Sequence, residues 1–322
     1  HEQSDYVVYG GISILAASAS NIFNLINVHK YIDLKPVGNY NFKRHFKPIG
    51  VFFAMACATT IYTNIDNVML GFMTTDADVG YYNAAVKIKN ILTSFVTSLG
   101  TVLLPRASYY VENGMIKEFK RITKKALFFV FFVATPMILY FILFAKEGIC
   151  LLSGSTYMNS VVPMQLIMPT LLFIGITNIL GIQMLVPLGQ EKVVLYSEIV
   201  GGVVDVILNA ILIPYYASAG AAIGTLAAEF VVLMVQYIAL RDEITDTFKQ
   251  IHYFRIFMAI ILGTVTSLWV KNLGLGNFLK LLISTILFFG TYGSFLLIKK
   301  EETVMEVWNM LIGKVFKKMR QI

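Results

Sequence analysis

Charged residues are scarce in this chain. Asp, Glu, Lys and Arg make up only 14% of its 322 residues, whereas 57% of the residues are hydrophobic. Because soluble domains have about one charged residue in four, this composition excludes an ordinary soluble protein and predicts an integral membrane protein. The net charge of +7 does not indicate binding to nucleic acid, since the basic residues are concentrated in alternate loops.

Residues that carry catalytic or metal chemistry are also few. The two cysteines, Cys57 and Cys150, are too few for a disulfide framework or a thiolate metal site. The HExxH, GxSxG, CxxC and Walker A patterns are absent. The four histidines lie at the N-terminus or near basic loops: His1, His29, His45 and His252. The sequence therefore predicts no enzyme, no cofactor and no bound metal.

Apolar runs about as long as a bilayer crossing recur along the whole chain. A helix of about 20 apolar residues crosses the hydrocarbon core. By this criterion we predict an all-α, polytopic membrane protein with about nine transmembrane helices, at residues 6–28, 48–73, 81–104, 126–147, 163–187, 193–214, 221–241, 256–271 and 278–298.

The loops between these runs differ in charge. Lysine and arginine are concentrated in every second loop and in the C-terminal segment, whereas the other loops hold only Lys146 and Lys271. The positive-inside rule then predicts an outside N-terminus and a cytoplasmic C-terminus. Residues 299–322 combine helically spaced apolar residues with lysines, which is typical of an amphipathic segment on the inner leaflet.

The spans at 48–73 and 81–104 contain polar groups that are costly in hydrocarbon. The first contains Asn64 and Asp66. In the second, Asn83, Lys87 and Asn90 recur at three- and four-residue steps and share one helix face. This hairpin predicts a polar path through the membrane.

The two lysines of the second span do not share a face. Lys89 lies about 200° around the helix from Lys87, so at most one of them points straight into the path. The alternative is that both ammonium groups extend to the lipid headgroups.

Two later spans carry carboxyl groups. Glu198, Asp205 and Asn209 stand at i, i+7 and i+11, close to one face. Glu229 lies in the next span, on a face with Thr225. Acids in a membrane helix must be protonated, paired or hydrated, so the three carboxyl groups are candidates for coupling to a proton or a cation. The alternatives are an interfacial position for Glu198 and buried ion pairs for the other two.

Three segments carry a resemblance to a known family. They are NIDNVMLGFMTTDADVGYYNAAVKI at 64–88, LLPRASYY at 103–110 and LVPLGQEK at 185–192. Together they resemble the O-antigen-type oligosaccharide-lipid flippases of bacteria, within the multidrug and oligosaccharidyl-lipid/polysaccharide exporter superfamily.

The resemblance implies a division of the chain. Residues 1–47 would be the last helix of a first lobe and a linker, 48–241 a second six-helix lobe, 242–298 an additional helix pair and 299–322 a basic cytoplasmic tail. It also implies that about five helices are missing from the N-terminus, which agrees with the predicted outside start.

The resemblance further implies transport of undecaprenyl-diphosphate-linked oligosaccharide across the bacterial inner membrane, by alternating access and with polysaccharide assembly enzymes as partners. Lys87 and Lys89 would meet the diphosphate or an acidic sugar, beside Asn64, Asp66, Asn83 and Asn90. A proton or sodium ion would couple at Asp205, Glu229 or Glu198. The alternatives are a multidrug or cation antiporter, a membrane-embedded polysaccharide polymerase or ligase, and a scaffold without transport activity.

Overall fold

Every regular element of the structure, a computed structural model that describes residues 5–30, 38, 42–300 and 305, is helical. This confirms the predicted all-α class. The α-helices are α1 (Asp5–Asn27), α2 (Lys43–Met73), α3 (Asp76–Glu112), α4 (Ile116–Leu143), α5 (Ala145–Leu152), α6 (Val161–Ile167), α7 (Thr170–Thr177), α8 (Glu191–Lys249), α9 (Tyr253–Leu268) and α10 (Asn277–Ile298).

Shorter helical elements join some of these helices. Three 3-10 helices cover Val28–Lys30, Ser155–Ser160 and Trp269–Asn272, and a π-helix at Asn178–Leu185 continues directly from α7. The predicted span 163–187 is therefore not one straight helix. It is a bent pair, in which Ser155–Ile167 and Thr170–Leu185 meet at 47°.

The chain divides into two compact units, His1–Pro48 and Ile49–Ile322. In its described residues the first unit contains α1 and the beginning of α2. The second unit contains the rest of α2, helices α3 to α10 and all the candidate site residues. Most of the predicted tail at 299–322 lies outside the described residues, as does much of the predicted linker before 47.

The predicted count of nine spans is not confirmed. Within the described residues, six helices are long and apolar enough to cross a membrane, and the bent pair makes seven. Part of the difference comes from α8, a continuous element of 59 residues that contains two of the predicted spans, 193–214 and 221–241.

Helix α8 reverses direction at Ala217. This residue has φ 45° and ψ −125°, outside the helical region. The segments before and after Ala217 pack against each other, as shown by Gly220, where a Cβ would lie 2.6 Å from the backbone of Leu212. The 59-residue element is thus two antiparallel halves, called here α8a before Ala217 and α8b after it.

A capping box begins α3 and closes the hairpin with α2. The Thr75 hydroxyl accepts from the Asp78 backbone N–H, and the Asp78 carboxylate accepts from the Thr75 backbone N–H. Asp76 and Asp78 both lie in the first helical turn, where the helix dipole favours negative charge. The acidic turn that the sequence places between the two spans therefore has a structural role.

Helices α9 and α10 pack together and contact α4. Tyr140 of α4 donates its hydroxyl to the Leu281 carbonyl of α10 at 3.1 Å, and Tyr292 of α10 donates to the Phe132 carbonyl of α4 at 2.9 Å. A small apolar cluster that includes Phe144 and Phe288 fills the contact. The larger core lies among α3, α4, α6, α7, the π-helix and α8, and it positions the polar groups described below.

Candidate functional site

Asp66 of α2 lies at the centre of a buried polar cluster. Its side chain is 2% exposed. Its Oδ1 accepts from Asn209 Nδ2 of α8a at 2.6 Å, and its Oδ2 accepts from Thr225 Oγ1 of α8b at 2.8 Å. The hydroxyl of Tyr82 in α3 also donates to Oδ2. One carboxylate thereby connects four helical segments that are far apart in the sequence.

Asp205 lies beside this carboxylate, one turn before Asn209 on α8a. It is fully buried, and neither of its carboxylate oxygens accepts a hydrogen bond of normal geometry, although Asp66 and Asn209 both lie close to it. Asn209 Oδ1 accepts none either. Three buried acceptor oxygens are therefore left without a donor. We call Asp66, Tyr82, Asp205, Asn209 and Thr225 the deep site.

The deep site contains oxygen atoms of the kind that could hold a small cation or a proton. Two neighbouring carboxylates repel each other when both are ionised, and an unpaired buried charge costs several kcal/mol. A metal ion such as sodium, which binds to carboxylate and amide oxygens, or a proton on one carboxylate would remove both costs. The unpartnered oxygens of Asp205 and Asn209 are thus the atoms that such a cation would engage.

Gly224 of α8b allows α8a to approach this closely. A Cβ at this position would lie 2.1 Å from Asn209 Oδ1 and 3.1 Å from Asp205 Oδ1. The first distance is far inside van der Waals contact. Any side chain at 224 would therefore displace the amide that binds Asp66.

Two further polar contacts join α2 to α8 before the deep site. The Tyr62 hydroxyl donates to Glu229. Tyr62 lies one turn before Asp66 on α2, and Glu229 lies one turn after Thr225 on α8b. The Thr59 hydroxyl donates to Glu198 Oε2 at 2.5 Å. Successive turns of the same helices therefore carry a ladder of polar contacts that leads to Asp66.

A cavity of about 390 Å³, lined by both polar and apolar side chains, adjoins this ladder. We call it the polar chamber. It lies among α2, α3, α7, the π-helix and both halves of α8, and its lining includes Lys89, Asn90, Thr93, Glu198, Glu229 and Gln236. Lys89 is partly buried there and shares the chamber with two carboxyl groups.

Lys87 is on the opposite side of α3. It is exposed, as are Asn83 and Asn90, whereas the other side of the helix buries Ile88 and Leu92 in the core. Helix α2 also has exposed polar residues, namely Thr59, Thr63 and Asn64. Thr59 and Thr63 line the chamber together with Asn90. We call these exposed groups on α2 and α3 the polar face. Such a surface at membrane depth is expected to meet water or protein rather than lipid.

The predicted site residues thus form two groups. Asn64, Asn83, Lys87 and Asn90 lie on the polar face, where the sequence grouped them. Asp66 is instead buried with Asp205, and Lys89, Glu198 and Glu229 share the polar chamber. Asn90 belongs to both, because the chamber opens on the polar face there.

Several members of these clusters were missed by the sequence analysis. Tyr62 and Tyr82 each donate to a buried carboxylate, and Thr59 bonds to Glu198. A signal existed for Tyr62, which precedes Asp66 by one helical turn and so shares its face. Tyr82 had no such local signal, because its partners lie on other helices.

Comparison with known proteins agrees with the helical architecture. Residues 6–162 match the family described as polysaccharide biosynthesis protein. The chain is 26% identical over 243 residues to a putative O-antigen transporter of Escherichia coli, covering 75% of this chain and 58% of the relative. The resemblance to O-antigen-type exporters is confirmed. A probable low-salt glycan biosynthesis flippase of Haloferax volcanii is 21% identical over 280 residues, with 86% of this chain and 54% of the relative covered.

A solved structure has the same fold. The lipid II flippase MurJ in its inward closed conformation aligns with a TM-score of 0.65 at 18% identity, over 83% of this chain and 57% of that chain. The chain therefore spans about half the length of the relatives that it matches.

Proposed function

We propose that this protein is part of a flippase that moves undecaprenyl-diphosphate-linked oligosaccharides across the plasma membrane, by alternating access and coupled to a proton or a sodium ion. The observation that carries the coupling is the deep site, where Asp205 and Asn209 leave three buried oxygens without a partner. The names of the relatives, an O-antigen transporter and a glycan flippase, support the class of substrate.

The polar face is the proposed surface for the polar headgroup. Lys87 offers a compact positive charge to a diphosphate or an acidic sugar. Asn64, Asn83 and Asn90 offer amides to phosphate oxygens and sugar hydroxyls. All four side chains are exposed on α2 and α3, and in this proposal one headgroup contacts them together.

Coupling follows from the position of Asp66. Its hydrogen bonds hold α2 and α3 against both halves of α8. A cation between Asp66 and Asp205 would strengthen this arrangement, and its release would leave two facing carboxylates that repel each other. A ligand shifts a conformational equilibrium only by binding one state more tightly. In this proposal the cation binds more tightly to the state in which α2 and α3 pack against α8, because the oxygen ligands separate in the other state of the transport cycle.

The membrane setting is part of the same proposal. The charge of the loops supports an outside start for this chain and a cytoplasmic C-terminus. Enzymes that build the lipid-linked oligosaccharide on the inner face would supply the substrate, and enzymes on the outer face would use it.

A complementation experiment tests the headgroup role. The full-length gene is expressed in cells that lack their own flippase for a surface polysaccharide. Lys87→Ala should abolish the polysaccharide at normal membrane abundance, whereas Lys87→Arg should keep part of it because the charge remains. Lys117→Ala, at the exposed beginning of α4, is the matched control and should behave as wild type.

Two outcomes contradict the proposal. Normal polysaccharide in Lys87→Ala would remove the headgroup role. Export of cationic dyes that requires Asp66, with no effect of any variant on polysaccharide, would favour a multidrug antiporter.

A further inference from the structure

The polar chamber contains buried polar atoms that the protein leaves unpartnered. Thr93 Oγ1 of α3 and Gln236 Oε1 of α8b have no hydrogen-bond partner, although both residues line the cavity. Gln236 is only 2% exposed, and its Nε2 donates to Ser197 Oγ at 3.0 Å. Buried polar atoms beside a cavity are normally paired with water. At about 30 Å³ per molecule, the chamber has room for on the order of ten waters.

The chamber opens on the polar face and ends about one helical turn short of the deep site. Thr59, Thr63 and Asn90 line it and are exposed. At its inner end the hydroxyl of Tyr62 donates to Glu229, and the next turn of the same two helices carries the Asp66–Thr225 bond. Four residues of helix correspond to about 6 Å, so the inner wall lies within one turn of the deep site.

The charges of the chamber favour a cation. Glu198 and Glu229 supply two carboxyl groups, and Lys89 supplies one ammonium group. The position of Lys89 beside two acids offsets part of their burial cost. When all three groups are ionised, the two carboxylates outweigh the single ammonium group, so the chamber favours a small cation over an anion, and its oxygen atoms are ligands for that cation.

We propose that the polar chamber is the hydrated route by which the coupling cation passes between the polar face and the deep site. Glu229 is the last acceptor on this route, and the Tyr62–Glu229 contact separates it from Asp66. This inference rests on the proposed role of the deep site in ion coupling, and it adds the path and its residues.

Thiol labelling tests whether the chamber is wet. The full-length protein carries Cys57→Ala and Cys150→Ala together with a single new cysteine, Thr93→Cys, and it reacts in membranes with a trimethylammonium thiosulfonate. Two controls isolate the chamber: Val96→Cys lies on the same helix and is 1% exposed, and Ile286→Cys lies on the apolar surface of α10 and is 64% exposed. We expect Thr93→Cys to react at least about tenfold faster than either control, because a hydrated thiolate attacks the thiosulfonate, forming a mixed disulfide and releasing sulfinate.

The charge of the reagent tests whether the chamber is a route for cations. The ammonium reagent is compared with a sulfonate reagent of similar size, each rate being divided by the rate for a free thiol in solution. The ammonium reagent should be favoured at Thr93→Cys. Adding Glu229→Gln should lower this preference severalfold, and adding Lys89→Gln should raise it.

Labelling must also affect transport. The cysteine-free protein, which carries only Cys57→Ala and Cys150→Ala, should keep its flippase activity in the presence of the reagent. The protein with Thr93→Cys added should lose most of its activity. An unreactive Thr93→Cys, a preference for the sulfonate or undiminished transport after complete labelling would each overturn the route. If such a result is found but sodium or protons still stabilise the protein through the deep site, the route is wrong and the proposed function stands. If neither ion stabilises the unlabelled protein, the coupling and the route are both wrong.

Discussion

Asp205 provides a stability test with an unusual sign. It is fully buried, and both of its carboxylate oxygens are unpartnered. An uncompensated buried charge costs several kcal/mol. In protein without its cation, at a pH high enough to remove the proton as well, Asp205→Asn should therefore stabilise the fold, by roughly 1–3 kcal/mol, because it removes the charge and supplies an amide donor next to Asn209 Oδ1.

Asp66 should respond in the opposite direction. Its carboxylate accepts from Tyr82, Asn209 and Thr225. Asp66→Ala leaves the buried Asn209 Nδ2 without an acceptor, which costs about 1–3 kcal/mol, whereas the Tyr82 hydroxyl can still donate to Thr225 Oγ1 and the Thr225 hydroxyl to the Ala221 carbonyl. The substitution also leaves a cavity at the centre of the cluster, so we expect a net loss of stability. Replacing the two neighbouring carboxylates should thus have opposite effects.

The cation adds a second difference between wild type and variants. A ligand at 100 times its Kd stabilises the folded state by about 2.7 kcal/mol. Wild type should gain this amount when sodium replaces choline, and Asp205→Asn should not. The apparent melting temperature in detergent, followed by intrinsic fluorescence in choline and sodium salts at fixed ionic strength, measures both effects. A response that follows pH and not sodium would identify the proton as the ion.

A lower cation-free melting temperature in Asp205→Asn would refute this reasoning. It would mean that the carboxylate has a partner that the substitution removes. A sodium response that survives in the variant would place the ion elsewhere.

Three other predictions follow from close contacts. Gly224→Ala should abolish the stabilisation by the cation, because its Cβ would lie 2.1 Å from Asn209 Oδ1. Gly202→Ala is the control, since its Cβ would lie 3.5 Å from the nearest atom, and it should keep the stabilisation. Equal effects of the two variants on ion-dependent melting would contradict this prediction. Ala217→Gly should raise the melting temperature by relieving about 1–3 kcal/mol of backbone strain at φ 45°, and a lower value would argue against the strain. Tyr140→Phe removes a hydroxyl that contacts α10 at 2.8–3.1 Å and should cost about 1–3 kcal/mol, with faster proteolysis of the loop before α10 as a second measurement; unchanged stability and cleavage would contradict it.

Periodicity was a good guide within a single helix and a poor one between helices. The three-to-four-residue spacing of Asn83, Lys87 and Asn90 placed them on one exposed face of α3, as found. The same reasoning put Lys89 on another side, and the chamber is there. Helix geometry alone determines these relations, so the sequence is sufficient to predict them.

Contacts between helices depend on long-range packing. The sequence analysis assigned Asp66 to the same path as Asn64, although residues two positions apart on a helix point about 200° away from each other. Its burial depends on Asn209 and Thr225, more than 140 positions away. The predicted spans 193–214 and 221–241 fall in α8a and α8b, so hydropathy located both halves, but it did not predict that the chain reverses sharply at Ala217.

The angular separation of Asn64 and Asp66 is also what makes coupling physically reasonable. Helix α2 has Asn64 on the polar face and Asp66 in the deep site, and α3 has Lys87 on the polar face and Tyr82 in the deep site. Because each helix is rigid, a cation that draws Asp66 and Tyr82 toward α8 also fixes where Asn64 and Lys87 stand. We infer that the ion and the headgroup communicate through the positions of these two helices, without contact between the two ligands.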